Sequence, residues 1–119
     1  MADLTIQEIV EAGLAATYAS AAAGGDTVLN VDGNLVLHVK NGDTASKTVT
    51  VTVQRTSRKV ADFGEMSKSD AQVSIPAGED RFIGPFPRGA FNDGAGKVRI
   101  GYSGTTGVEI AALRVPKAA

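Results

Sequence analysis

Residues 47–53 read Lys-Thr-Val-Thr-Val-Thr-Val, and no other stretch limits the possible folds as tightly. Successive side chains of an extended chain point to opposite faces, so Val49, Val51 and Val53 line one side and Thr48, Thr50 and Thr52 the other. Both sets are β-branched, which suits a pleated surface. One face is dry and the other wet. A sheet built from such strands must bury its valine face against a second layer.

The same period recurs along most of the chain. Leu35, Leu37 and Val39 share one face of a strand while Val36 and His38 share the other, and Asn41-Gly42-Asp43 supplies a turn. Further short strands are expected at 72–75, closed by Pro76-Ala77-Gly78, and at 81–83, closed by Gly84-Pro85-Phe86-Pro87. Another follows Asn92-Asp93-Gly94-Ala95-Gly96 at 97–102, and a last one at 108–115 is stopped by Pro116. Short strands punctuated by Gly, Pro and Asn predict an all-β fold, a small antiparallel β-sandwich or jelly-roll-like barrel. At 119 residues one such body is expected, spanning 26–119. Residues 55–71 break the pattern with Arg55, Arg58, Lys59, Asp62, Glu65 and Asp70, and read as a long polar loop.

The first 25 residues differ in kind. Ile6, Ile9, Val10 and Gly13 recur at helical spacing with Leu14 following, and Thr5 with Glu8 fits a capping box. This predicts a short helix, or failing that an extended arm. It is too short to be stable alone, so its apolar stripe must dock, on its own body or on a neighbour. Residues 15–25 are almost all small around Tyr18 and end in Gly24-Gly25, which reads as a tether between arm and body.

Composition narrows the function. Twelve basic and thirteen acidic side chains give a net charge of −1, whereas nucleic-acid or membrane-surface binding needs a basic excess. There is no cysteine, so neither a disulfide framework nor a thiolate zinc site is possible. The acidic N-terminus and the lack of a long apolar run argue against a signal peptide or a membrane helix, so neither export nor a membrane is expected.

Catalytic patterns are absent. His38 is the only histidine, lies inside a strand, and has no Ser or Thr partner that spacing singles out, so a structural role on the sheet is expected. Asn30, Asp32 and Asn34 around Gly33 loosely echo a calcium loop but lack its distal glutamate, and turn chemistry accounts for them. Glu79 and Asp80 are adjacent and point to opposite faces, which disfavours a carboxylate dyad. None of the fourteen glycines falls in a phosphate-binding pattern. No enzyme activity, cofactor or metal is expected. Phe82, Phe86 and Phe91 lie near Arg81 and Arg88, but Pro85 and Pro87 make a hydrophobic corner the simpler reading.

That corner carries a resemblance. Ile75-Pro76-Ala77-Gly78 followed by Ile83-Gly84-Pro85-Phe86-Pro87, with Val39-Lys40-Asn41-Gly42 upstream and Phe91-Asn92-Asp93 and Val98-Arg99-Ile100-Gly101-Tyr102 downstream, resembles small tailed-phage head-decoration (capsid cement) proteins. The segment Thr5-Ile6-Gln7-Glu8-Ile9-Val10 before Gly13-Leu14 fits the same order, so the resemblance covers most of 5–115. It implies a β-sandwich, with the 75–83 segment as a hairpin, on the outside of an assembled capsid. There it would bridge neighbouring major capsid subunits, as a dimer or trimer, in a virion assembled in the host cytoplasm. On that reading the capsid or subunit interface is expected at Leu4, Ile6, Ile9, Val10 and Leu14 of the arm, and at Phe82, Phe86 and Phe91. A head–tail connector or tail accessory protein is the alternative. A carbohydrate-binding module is the third reading, weakened because there is no Trp and the only tyrosines are Tyr18 and Tyr102.

Overall fold

A computed structural model describes residues 2–31, 33–54, 57–60, 64–67 and 69–115, with backbone alone for Ala2, 57–60 and 64–67. In chain order the strands are β1 (Ala2–Leu4), β2 (Ile6–Glu8), β3 (Ala19–Ser20), β4 (Asp26–Leu29), β5 (Leu35–Asn41), β6 (Lys47–Thr52), β7 (Ser57–Val60), β8 (Gly64–Ser67), β9 (Ala71–Ile75), β10 (Asp80–Ile83), β11 (Lys97–Tyr102) and β12 (Val108–Arg114), with a single turn of helix α1 (Arg88–Phe91). They form a β-sandwich. One sheet has the order β1-β4-β11-β6-β9, and the other runs β10-β5-β12-β2, with β3 also on β12.

Strict alternation places the core. Leu35, Leu37 and Val39 of β5 and Val49 and Val51 of β6 are buried in one cluster with Val28, Ile75, Val98, Ile100, Val108 and Ile110. Thr48 and Thr50 are half-buried on the other side of β6 and Thr52 is exposed. The Phe86 and Phe91 rings meet edge to face, with centroids 5.3 Å apart, and belong to the same cluster. Both side chains are therefore interior. They are not available as the surface contacts expected of them.

Connections β4–β5, β5–β6, β9–β10, β10–β11 and β11–β12 each cross from one sheet to the other. Segment 75–83 is accordingly a corner and not the expected hairpin, because β9 pairs with β6 and β10 with β5. Gly84 shows how tight the next corner is: at φ +135°, a Cβ there would lie 2.6 Å from the Leu35 carbonyl oxygen.

The N-terminal expectation is corrected. Residues 2–8 form no helix; they are two short strands that pair in parallel, β1 with β4 and β2 with β12. Both sheets are thus mixed, where a wholly antiparallel body was expected. The physical reason is that Leu4 and Ile6 also fit period two, and both pack on the core. Two open sheet edges supply backbone partners at once, whereas a helix this short carries its full nucleation cost. The small-residue stretch is also tied down: β3 pairs with β12, and the Gln7 side-chain amide donates to the Thr17 carbonyl at 2.7 Å and accepts from its N–H at 2.9 Å.

The polar stretch 55–71 is also corrected. Its described parts, β7 and β8, form an antiparallel ribbon of their own, and β9 begins at Ala71. Arg55 and Asp62 lie outside the described residues, as do Asp32 of the loose calcium pattern and the strand-ending Pro116.

Crossing loops bury backbone groups that need partners. Asn30, almost fully buried, donates to the Phe86 carbonyl at 3.0 Å and to Asn92 Oδ1 at 2.9 Å, and accepts from the Gly33 N–H. Buried Asn41 does the same at the other end, donating to the Ala45 and Ile75 carbonyls and accepting from the Asp43 N–H. Asn30→Ala should cost about 2 kcal/mol in urea unfolding, because it leaves buried acceptors unpaired. Unchanged stability would show that water replaces those bonds.

Candidate functional site

Two surface features stand out from the body. The first lies on the outer face of the β10-β5-β12 sheet, where register stacks side chains in rows. Glu109, Lys40 and Asp80 are partners across β12, β5 and β10, and the next row on the same face is Ala111, His38 and Phe82. The alternation that sends Leu37 and Val39 inward sends His38 and Lys40 outward.

His38 is nonetheless buried, covered by its neighbours. Its Nε2 lies 2.5 Å from Asp80 Oδ2, and its Nδ1 lies 2.5 Å from the Tyr18 hydroxyl. A carboxylate only accepts, so Nε2 carries the hydrogen, and in the neutral ring Nδ1 accepts from Tyr18. Phe82 stacks on the imidazole with ring centroids 4.0 Å apart and planes 7° from parallel. The Lys40 ammonium sits 3.9 Å from the centre of the Tyr18 ring. This geometry gives the lone histidine a structural role. It joins the N-terminal segment, a central strand and an edge strand.

The second feature is an apolar end. Five of the six exposed large hydrophobics among the described residues, Ile9, Val10, Leu29, Val31 and Val115, lie where β4 and β12 finish. The Ile9 N–H donates to the Arg114 carbonyl, which sets Ile9 beside Val115. Leu4, Ile6, Leu29 and Val31 line a groove of about 510 Å³ together with Thr5, Glu8 and Arg114. Its two charged side chains pair with each other at 2.5 Å, Arg114 Nη1 to Glu8 Oε1. On the flank, the Lys97 ammonium, 2.7 Å from Asp3, and then the Thr27 hydroxyl hold the Asp3 carboxyl below its usual range.

Of the expected interface residues, the structure brings Leu4, Ile6, Ile9 and Val10 to this end, Leu4 and Ile6 half-buried and the other two exposed. Leu14 is half-buried in the chain between β2 and β3. Phe82 stands apart, on the outer face. Leu29 and Val31 were missed by the sequence reading. Their signal, an apolar residue continuing the outward face of β4, was hidden because that strand is only four residues long.

Elsewhere several polar groups among the described residues make bonds within the fold. Asn30 and Asn34 of the loose calcium pattern spend their amides on carbonyls, those of Phe86 and Val115. Buried Asp26 accepts from the Tyr102 hydroxyl at 2.6 Å; burial first, then Asp26, pushes that phenol far above its ordinary range. No helix among the described residues is long and apolar enough to cross a membrane. Comparison with protein-family models, with curated proteins and with solved structures finds no match for this chain.

The His38 hydrogen bond above all holds the Asp80 carboxyl below the ordinary carboxylate range, with the nearby positive charges of Lys40 and Arg81 acting the same way. A carboxylate depressed on folding stabilises the fold above its unfolded pKa, and that contribution disappears as pH falls through the depressed value. Asp80→Asn should therefore lower the melting temperature at neutral pH, and the gap to the unaltered protein should close below about pH 4. A gap that stays constant with pH would mean the carboxylate charge plays no part.

Proposed function

We propose that this is a structural virion protein that binds the outer surface of an assembled phage capsid and stabilises it by bridging neighbouring major capsid subunits. The apolar end carries the reading. Ile9, Val10, Leu29, Val31 and Val115 are each between 40% and 56% exposed; Leu29 and Val31 line a groove whose charges are already paired, and Ile9 is hydrogen-bonded to the carbonyl of Arg114, which also lines it. Contiguous exposed apolar surface rimmed by polar groups marks a site of protein contact. The ordered motif set from Thr5 to Tyr102 supplies the class of partner.

A protein of this kind needs a rigid body and a contact surface, not a reactive centre. Binding the assembled shell better than free subunits stabilises the shell by linkage, by RT ln(1 + [L]/Kd) for each site. A contact of roughly 800 Å² per partner suffices for specificity, and a dimer or trimer spanning two or three subunits gains avidity without new contacts.

Co-sedimentation with purified capsids tests this. The double variant Ile9→Asp/Val31→Asp should lose at least about tenfold in affinity, since each change places a charge where an apolar contact forms. Both side chains are exposed, so the melting temperature should barely move. Unchanged sedimentation of the double variant would remove the apolar end from the interface, and no sedimentation of the unaltered protein would overturn the capsid reading.

A further inference from the structure

The outer-face cluster is not used by attachment through the apolar end. Phe82 is 67% exposed, more than any other large hydrophobic among the described residues. One side of its ring lies flat on His38, which is itself held from both nitrogens by Tyr18 and Asp80. A ring fixed in this way gives up little freedom when a ligand stacks on its open side. Asp80 lies two residues along the same face of β10, ~7 Å away. There Lys40, Glu79, Asp80 and Glu109 line a groove of about 350 Å³.

We propose that Phe82 and this groove form a binding site for a neutral saccharide, with the C–H face of a pyranose on the phenyl ring and its hydroxyls in the groove. The charges select for this class. An anion would face three carboxylates, and a cation would face Lys40 together with nearby Arg81. Carboxylates only accept hydrogen bonds and an ammonium only donates, so hydroxyls, which do both, match the whole lining without adding charge. Asp80 contacts His38 through Oδ2, and Glu79 contacts Arg81 through Oε1. The second oxygen of each carboxylate can then accept from a ligand hydroxyl. The shortage of Trp and Tyr counts against sugar stacking only if those rings are the platform; here a phenylalanine braced by a histidine takes that place.

The test is an NMR titration of the ¹⁵N-labelled full chain, without capsids, using cellotetraose, maltotetraose and chitotetraose. At least one should bind with a Kd of roughly 1 mM, the scale for one stacked ring and a few hydroxyl contacts. Shifts should concentrate at Lys40, residues 79–82 and Glu109. Phe82→Ala should weaken binding about tenfold and Phe82→Tyr should preserve it. Glu109→Gln, on the groove side, should also weaken binding, which keeps a readout if Phe82→Ala unfolds. The proposal is overturned if none of the three sugars shifts these residues, if a folded Phe82→Ala protein binds equally well, or if tetramethylammonium chloride gives the stronger response. Because no capsid is present, this result and the sedimentation result fail independently.

Discussion

The long strands of the two main sheets each have one apolar face, and the single layer between those sheets is the place to bury it. Leu35, Leu37 and Val39 of β5 meet Val49 and Val51 of β6 there, and each side chain contributes roughly 1.5–3 kcal/mol by leaving water. Sharing one layer means that strands adjacent in sequence are often assigned to opposite sheets, so the chain repeatedly crosses the rim. Those crossings would strand backbone polar groups. Asn30 and Asn41 are the remedy, each a buried amide serving several loop partners at one end of the sandwich.

Where the alternation is regular the strands were legible in the residues, at β5, β6 and β9 through β12, within a residue or two at their ends. Three things were not. The N-terminal segment has apolar residues that satisfy both a helical and an alternating period over a short span, and the open edges of the finished sheets decided between them. The 55–71 stretch intersperses charged residues with Val60, Phe63 and Met66 outside any alternating period, so nothing in its pattern distinguishes a ribbon from a loop. The candidate surfaces were legible only in part. Ile9, Val10 and Phe82 were visible as unplaced hydrophobics, whereas Phe86 and Phe91 looked the same in sequence and proved to be core. Pairings such as Tyr18 with His38, twenty residues apart, depend on how the chain folds back.

The two surfaces differ in character for a common reason: each is built from side chains the core rejects. On the outer face those are charged and aromatic groups, organised by cross-strand register into rows. At the apolar end they are aliphatic groups at or just beyond the strand ends, with Leu29 on the outward face of β4. The surface ion pairs around them, such as Arg81 with Glu79 and Lys97 with Asp3, orient side chains more than they stabilise the fold, since water screens pairs this exposed.

The parallel pairing of β2 with β12 has a mechanical side. Tension applied between the chain entering β2 and the chain leaving β12 runs along both strands in opposite senses. It strains the bonds between Ile6–Glu8 and the end of β12 together, with no free end to peel open. Because the same segment is also hydrogen-bonded to β4 just before Thr5, slipping it past β12 would drag on the other sheet as well. A short piece of chain thus acts as a shear clamp between the two sheets.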